Sequence, residues 1–494
     1  MSYLFRKKSL SQLMQDHSGE SGEHTLKRTL SAMNLIFLGI GAIIGAGLFV
    51  RTAAAAANNA GPSVTIAFMV AGLGCALAGL CYAEFASMIP IAGSAYTYSY
   101  ATMGELIAWI IGWDLVLEYA LGAATVGIAW SEYLNKLLGY VGMNIPFEWC
   151  HSPFDIEHAT GAHGFINIPA ILIILLLTLL LIKGTKESAA VNGAIVIGKV
   201  AIVILFIVFG WSFISPANHT PYIPPYEIYH DVQGIPHHFG GVMGILAAAG
   251  VVFFAFIGFD AVSTAAQEAK NPKKDMPIGI LGSLVICTVL YILFAHVLTG
   301  VGSTEDFRTF GKEASVTYAI QNHMPGYEWL AKLVTVAILA GFSSVILVML
   351  LGQSRVFYSM SKDGLLPKVF GELHPVFKTP YKSNLILFVF VGLFAAFVPG
   401  DIVGDMTSIG TLFAFMLVCA GVIIMRRTDP DVPRSFKTPL VPYVPILGIL
   451  VCGAMVFGLG VPNWLRLMAW LLIGFVIYFG YSRHHSKLNK DKKD

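Results

Sequence analysis

Long apolar runs separated by short polar loops are the feature that most limits how this chain of 494 residues can fold. Crossing a hydrocarbon core of about 30 Å takes about 20 residues of helix, because no water is present there to hydrogen-bond an exposed backbone. Runs of about that length lie at 31–58, 62–89, 105–135, 167–184, 189–214, 240–266, 276–302, 327–360, 383–398, 402–425, 441–459 and 464–482. They do not alternate between apolar and polar residues as barrel strands do. The sequence therefore predicts an all-α integral membrane protein with twelve transmembrane helices.

The amino-acid composition agrees with a membrane protein. Hydrophobic residues make up 56% of the chain and charged residues only 12%, whereas a soluble domain is about 25% charged. The net charge of +2 is too small to favour nucleic-acid binding. The loops contain no nucleotide motif, no nucleophile beside a base and no metal-ligand spacing, so we expect no enzyme activity, no metal and no cofactor.

Basic residues are concentrated in alternate loops. The stretches 270–274, 355–382 and 426–437 contain several Lys or Arg residues, as do both termini, whereas 137–166 and 215–239 contain none. Because positively charged loops stay in the cytoplasm, this distribution predicts a multi-pass protein of the cell membrane, inner or plasma, with both termini cytoplasmic. Membrane lipids are therefore expected partners.

Glycines interrupt the first apolar run. Four of them lie within nine residues, at Gly39, Gly41, Gly45 and Gly47. Each interior glycine weakens a helix by about 1 kcal/mol relative to alanine, and an unwound stretch at membrane depth is tolerated only where it is buried in protein or lines a cavity. The N–H groups that start the next half-helix suit a carboxylate, and freed carbonyls suit an ammonium group. Together these groups match an α-amino acid.

Two interpretations of the glycines stay open at this point. Gly41 and Gly45 also form the small-xxx-small pattern that lets two helices approach closely. The sixth apolar run favours the binding interpretation, because Gly258 and Asp260 lie deep inside it. Interrupted first and sixth helices are what an inverted five-plus-five repeat with a binding site at the membrane midplane would produce.

The repeat divides the chain into five parts. They are a cytoplasmic N-terminal tail (1–30), a first repeat with helices one to five (31–214), a second repeat with helices six to ten (240–426), helices eleven and twelve (441–482) and a basic cytoplasmic tail (483–494). The broken helices, one and six, occupy the same position in their repeats.

Ionisable residues inside predicted helices are further candidates, because an isolated charge in a membrane is costly. Glu118 follows Asp114 by four residues, so both are expected on one helical face. Glu118 either complements a cationic substrate side chain or is a buried, hydrogen-bonded carboxyl. We interpret Asp114 as structural.

Lys199 ends a stretch, 193–199, that matches most of a phosphate-binding loop. The match is rejected, because Val200 replaces the required Ser or Thr and the stretch lies in an apolar run. A buried lysine can release its proton at physiological pH, which makes Lys199 the candidate proton-coupling residue. The alternative is a permanently charged lysine paired with a carboxylate.

Five motifs occur in a fixed order along the chain, at 39–49, 93–98, 113–119, 254–260 and 271–277. In that order they resemble the amino acid-polyamine-organocation superfamily, and most closely its bacterial cationic amino acid transporter branch. The resemblance extends over about residues 26–485. It implies the five-plus-five inverted-repeat fold and alternating access around a central site.

The resemblance also implies roles for backbone groups. Three N–H groups would bind the substrate carboxylate, those of Gly45, Ala46 and Gly47. Three carbonyls would accept hydrogen bonds from its amine, those of Ile43, Phe254 and Ile257. Ala46 stands where many members carry Ser or Thr, so the backbone site is kept while a side-chain hydroxyl is lost.

Side-chain roles are implied in the same way. Phe254 would be an aromatic gate, and Glu118, Asp260 and Met349 would line the pocket for the substrate side chain. Lys199 would occupy the place of the sodium ion in sodium-coupled members.

These expectations describe a secondary active transporter, with proton-coupled uptake of cationic amino acids such as arginine or lysine. A neutral or broad-specificity amino acid permease or exchanger is the alternative within transport. A membrane amino acid sensor is the alternative of another class. The expected partners are an amino acid substrate, protons and membrane lipids.

Overall fold

The computed structural model describes residues 6–8, 30–88, 94–157, 161–184, 189–231, 234–264, 269–310 and 315–490. Most of the predicted N-terminal tail and the last residues of the basic tail, 491–494, lie outside this set. Gly93, the first residue of the second motif, also lies outside it. Within the described residues the chain is mainly helical, as the long apolar runs predict.

The helices of the first half are α1 (Ala32–Ile43), α2 (Thr52–Ala55), α3 (Val64–Met88), α4 (Ser94–Thr102), α5 (Glu105–Val116), α6 (Gly122–Gly139), α7 (Ile168–Lys183) and α8 (Ala189–Gly210). Those of the second half are α9 (Gly241–Val252), α10 (Ala261–Thr264), α11 (Pro272–Val301), α12 (Thr304–Phe310), α13 (Ser315–His323), α14 (Glu328–Lys362), α15 (Tyr381–Phe397), α16 (Gly400–Thr428), α17 (Tyr443–Gly458), α18 (Val461–Ile477), α19 (Arg483–His485) and α20 (Lys487–Lys490).

Several elements complete this framework. π-Helical turns lie at Gly47–Arg51, Ala56–Ala60, Leu117–Leu121 and Tyr478–Ser482. An antiparallel hairpin, β1 (Glu227–His230) and β2 (Pro236–Phe239), precedes α9 and falls in one of the loops that contain no Lys or Arg.

Seven helical stretches among the described residues are long and apolar enough to cross a membrane. They are Gly47–Met88, Glu105–Gly139, Gly193–Phe213, Pro272–Val301, Glu328–Lys362, Gly400–Thr428 and Val461–His485. Five shorter apolar helices lie at positions of other predicted spans, at Ala32–Ile43, Ile168–Lys183, Gly241–Phe256, Tyr381–Phe397 and Tyr443–Gly458. The chain is therefore a polytopic helical membrane protein, and the count of twelve spans stays a prediction.

Close helix packing surrounds the first break. Helix α1 lies against α8 and α11, and α11 lies against α3. A Cβ atom on Gly39 would lie only 2.5 Å from the Oγ atom of Ser283 on α11. Small residues at such crossings let backbones approach, so Gly39 is a packing residue, whereas the packing interpretation made from the sequence concerned Gly41 and Gly45.

A buried carboxylate joins α3 to the end of α16. Glu84 accepts hydrogen bonds from Nε and Nη2 of Arg426 at 2.8 and 2.9 Å and from the N–H of Thr438 at 2.8 Å. The Nε atom of Arg434, whose side chain is also buried, lies 3.2 Å from the same carboxylate. This cluster holds the loop after α16 against α3.

Glu84→Ala is expected to lower the midpoint of thermal unfolding in detergent by several degrees. Removing one partner of a buried ion pair leaves the other charge uncompensated and costs about 3 kcal/mol. Glu372→Ala is the matched control, because Glu372 and its partner Lys382 are both solvent-exposed and an exposed pair contributes about 0–1 kcal/mol. Equal midpoints for the two variants would contradict this prediction.

Candidate substrate site

Helix α1 is interrupted at Ile44 and Gly45. The helix ends at Ile43, and Ile44 has an extended backbone with ψ of 105°. The chain returns to a helical path when the N–H groups of Leu48 and Phe49 donate to the carbonyl of Gly45, at 3.2 and 3.4 Å. The first N–H groups of a helix have no partner in a preceding turn, so this restart presents donors to the surrounding protein.

A second interruption follows α9. The chain continues from Val252 as a 3₁₀ turn, Phe253–Phe256, and Ile257 is extended with ψ of 136°. Gly258 has φ of +107°, which L side chains rarely adopt, and a Cβ there would lie 2.9 Å from the carbonyl oxygen of Ala42. Glycine is therefore required at this point for both reasons.

The two interruptions touch each other. A Cβ atom on Gly47 would lie 2.1 Å from Cα of Ala255, so the restarted helix and the 3₁₀ turn pack backbone to backbone. The hydroxyl of Tyr291 on α11 donates towards the carbonyl oxygens of Ile43 at 3.0 Å and Ala255 at 2.9 Å. Carbonyls from both breaks thus converge on one buried side chain.

Lys199 contacts the first break from α8. Its Nζ atom donates to the carbonyl oxygens of Gly41 at 2.6 Å and Ile44 at 2.9 Å. A Cβ on Gly341 of α14 would lie 2.6 Å from Cδ of the lysine, so the aliphatic part of Lys199 lies directly on that helix. These hydrogen bonds go to carbonyls, whereas the structural alternative proposed from the sequence was a carboxylate partner.

A buried group of carboxylates lies beside the π-helical turn Leu117–Leu121. Tyr119 in this turn donates from its hydroxyl to Oδ2 of Asp260 at 2.5 Å. Glu118 is completely buried and interacts electrostatically with Asp260 and with Asp114. The three acidic residues named by the sequence patterns therefore form one neighbourhood.

One face of α14 connects the two regions. Val345 approaches Gly45, with its Cγ2 3.3 Å from the position of an added Cβ. Met349 lies one turn further along, and its sulfur is 3.0 Å from where a Cβ atom on Gly122 would be. Gly352 faces the ring of Tyr119. From Val345 to Gly352 a helix rises about 10 Å. The segment between the backbone break and the carboxylates is therefore lined by apolar side chains.

All of the site residues predicted from the sequence are buried; they are Ile43, Gly45, Ala46, Gly47, Glu118, Lys199, Phe254, Ile257, Asp260 and Met349. The structure brings those of the two breaks together and connects Lys199 to them through carbonyls. The Phe254 carbonyl, a predicted amine acceptor, accepts the N–H of Ile257 at 3.2 Å.

Three residues with contacts in or near the site were not predicted as site residues from the sequence. Tyr291 and Tyr119 gave no local signal, because a tyrosine in an apolar run is common. Arg51 did offer one, since it is a charged residue four positions after Gly47 in the first long apolar stretch. It pairs with Asp401, at 2.6 Å, and with Asp405.

The Arg51 pairs line a cavity of about 890 Å³. Its walls include Asp155 and His237 from the two loops that contain no Lys or Arg. Burial raises the pKa of Asp155, against the opposing effect of its hydrogen bonds from Ser152. Because residues of these two loops line the cavity, it lies on the side of the protein that the charge distribution predicts to be external.

Comparison with known proteins identifies a matching family and related transport proteins. A family model described as amino acid permease matches residues 30–480. The chain is 44% identical to a branched-chain amino acid permease of Bacillus subtilis, with 99% of both chains covered, and 41% identical to a methylthioribose transporter of the same organism, with 99% and 100% covered. It is 29% identical to a vacuolar cationic amino acid transporter of Arabidopsis thaliana, with 95% and 94% covered.

These relatives are transporters rather than enzymes, as the sequence predicts. The family match extends from before α1 to the end of α18, so it includes both helix breaks and Lys199. The chain therefore belongs to the amino acid permease family of the amino acid-polyamine-organocation superfamily.

Proposed function

We propose that this protein is a secondary active transporter that takes up amino acids together with protons by alternating access. The observation that carries the proposal is the backbone contact between the two helix breaks at Gly47 and Ala255. Donors at a helix start and carbonyls at a helix end meet there, and an α-amino acid carries a charge of each sign to match them. Transport by alternating access needs such a site near the membrane midplane.

The proposed carboxylate site consists of the N–H groups of Gly45, Ala46 and Gly47. The proposed amine site consists of the carbonyls of Ile43, Phe254 and Ile257. Phe254, whose side chain is buried beside the second break, is proposed as the gate. Lys199 is proposed as the proton-coupling residue. Its carbonyl partners, Gly41 on α1 and Ile44 in the first break, support a link between its protonation and the conformation of that break.

The proposed architecture is the five-plus-five inverted repeat over 31–214 and 240–426. Its support is that α1 and α9, the opening helices of the two halves, are both interrupted. The proposed orientation has both termini in the cytoplasm of a cell whose plasma or inner membrane holds the protein.

For the substrate side chain we propose a neutral aliphatic group. Val345 and Met349, the α14 side chains next to Gly45 and Gly122, are apolar and buried. The branched-chain amino acid permease, at 44% identity, supports the same class.

A cationic substrate is the second candidate, and a specific observation favours it. Glu118, Asp114 and Asp260 bring three buried carboxyl groups into one neighbourhood. Negative charge on these carboxyl groups at membrane depth would be offset by the side chain of arginine or lysine. Glu118 would then be the residue that complements the substrate charge.

A substrate panel in proteoliposomes under an imposed pH gradient tests these candidates. We expect labelled leucine, isoleucine and valine to accumulate more than arginine or lysine. We expect Glu118→Gln to retain most leucine uptake. Greater uptake of arginine, abolished by Glu118→Gln, would favour the cationic candidate instead. Uptake of methylthioribose without any amino acid uptake would overturn the proposed function, and binding without net flux would indicate a sensor.

A further inference from the structure

The hydroxyl of Tyr291 lies between the carbonyl oxygens of the two helix breaks. It is 3.0 Å from Ile43 O and 2.9 Å from Ala255 O. The tyrosine is fully buried, and its ring packs against Phe68 and Phe256 with centroid distances of 5.5 and 5.3 Å. Because these contacts hold the ring, they also fix the position of the hydroxyl.

A phenol has a single proton to donate, so Tyr291 can satisfy only one of the two carbonyls fully at a time. Ile43 is the last residue of α1 and Ala255 lies in the 3₁₀ turn after α9, so at both places the regular α-helical hydrogen bonds stop. An unsatisfied buried carbonyl costs about 1–3 kcal/mol. The pair of carbonyls therefore has room for one more donor.

We propose that Tyr291 is a positioning residue that holds the two breaks ready for the amine of the substrate. When the substrate ammonium group donates to Ile43 O, the Tyr291 hydroxyl donates its hydrogen bond to Ala255 O, and both carbonyls are then satisfied. The inference rests on the proposed function, because it takes the Ile43 carbonyl as part of the amine site.

The consequence is that substrate binding at the first break fixes the second break. Tyr291 belongs to α11, a continuous helix of 30 residues that packs against α1 and α3. Before the substrate arrives its single proton is shared between the two carbonyls and holds them near that helix, and substrate binding then commits the proton to Ala255 O. Without the Tyr291 hydroxyl, the two breaks become ordered only when the substrate binds, and the free-energy cost of that ordering weakens binding.

The test is Tyr291→Phe, which removes one oxygen atom and keeps the ring packing. Leucine uptake is expected to show a KM about tenfold higher with the maximal rate little changed, since the lost hydroxyl orders the ground-state site. Tyr133→Phe is the matched control, because Tyr133 is equally buried and its hydroxyl donates at 3.4 Å to Phe49 O in the restarted helix, rather than to Ile43 O or Ala255 O. Its KM is expected to stay within about twofold of the wild-type value.

A second readout separates positioning from a general structural role. Unlabelled leucine and 4-methylpentanoate, which is leucine without its amine, are compared as inhibitors of labelled leucine uptake. Tyr291→Phe is expected to weaken inhibition by leucine and to leave inhibition by 4-methylpentanoate unchanged. If Tyr291→Phe does not assemble, Phe68→Leu, which loosens the ring, is expected to give the same selective loss at smaller size.

The outcomes are distinguishable. Absence of amino acid uptake by the wild-type protein would refute the proposed function itself. Wild-type leucine uptake with an unchanged KM in the variant, or with both inhibitors weakened equally, would overturn the role of Tyr291 while leaving amino acid transport standing.

Discussion

Gly47→Ala is expected to reduce amino acid uptake at least about 100-fold. A Cβ atom at this position would lie 2.1 Å from Cα and 2.5 Å from N of Ala255. Both are backbone atoms, so no side-chain rotation relieves the overlap and the two breaks must separate. A displacement of about 1 Å in a site of this kind costs about 100-fold in rate.

Uptake of labelled leucine in proteoliposomes measures the effect, normalised to the amount of folded protein. Gly193→Ala is the matched control, because Gly193 also lies in a helix of a predicted span and an added Cβ there meets nothing within 4 Å. The control is expected to transport like the wild type. Normal uptake by Gly47→Ala would mean that the backbones of the two breaks are not in contact.

Lys199→Met is expected to reduce accumulation driven by a pH gradient at least about tenfold. Methionine keeps the length and apolar packing of the side chain on Gly341 but removes the charge and the donors to Gly41 O and Ile44 O. Two buried carbonyls then lose a hydrogen bond, at about 1–3 kcal/mol each, and the proposed proton carrier is gone.

The measurement compares accumulation under a pH gradient with exchange of internal for external leucine at equal pH. Accumulation is expected to be lost, and exchange to be weakened but detectable. Lys332→Met on α14 serves as the control, since Lys332 is exposed and its ammonium group lies 5.7 Å from the ring centroid of Tyr140. Full pH-driven accumulation by Lys199→Met would remove Lys199 from the coupling mechanism.

Much of the candidate site was predictable from local sequence. The glycine-rich segment at 39–47 and the Gly258–Asp260 region were both identified, because clustered glycines or a carboxylate in an apolar run are local and rare. The structure narrowed the first break to Ile44 and Gly45. Gly39, which belonged to the same cluster, proved to be a packing contact with Ser283.

The connections between these segments were not predictable. Lys199 was expected to carry function, yet its partners, the carbonyls of Gly41 and Ile44, lie more than 150 residues away. Tyr291 reaches Ile43 across 248 residues, and Arg51 reaches Asp401 across 350. A pattern along the chain indicates that a buried charge needs a partner, but the identity of that partner depends on which helices become neighbours.

The sequence by itself determined the class of protein, the location of the helical runs, the two segments that are interrupted and the family. These follow from composition and spacing, because a membrane forces long apolar runs and satisfied backbones whatever the tertiary arrangement. Only the tertiary structure decided that Gly47 packs on Ala255, that the Tyr291 hydroxyl donates towards carbonyls of both breaks and that Val345 packs beside Gly45. These contacts join residues far apart in the chain, and close packing of helices, rather than any local propensity, selects them.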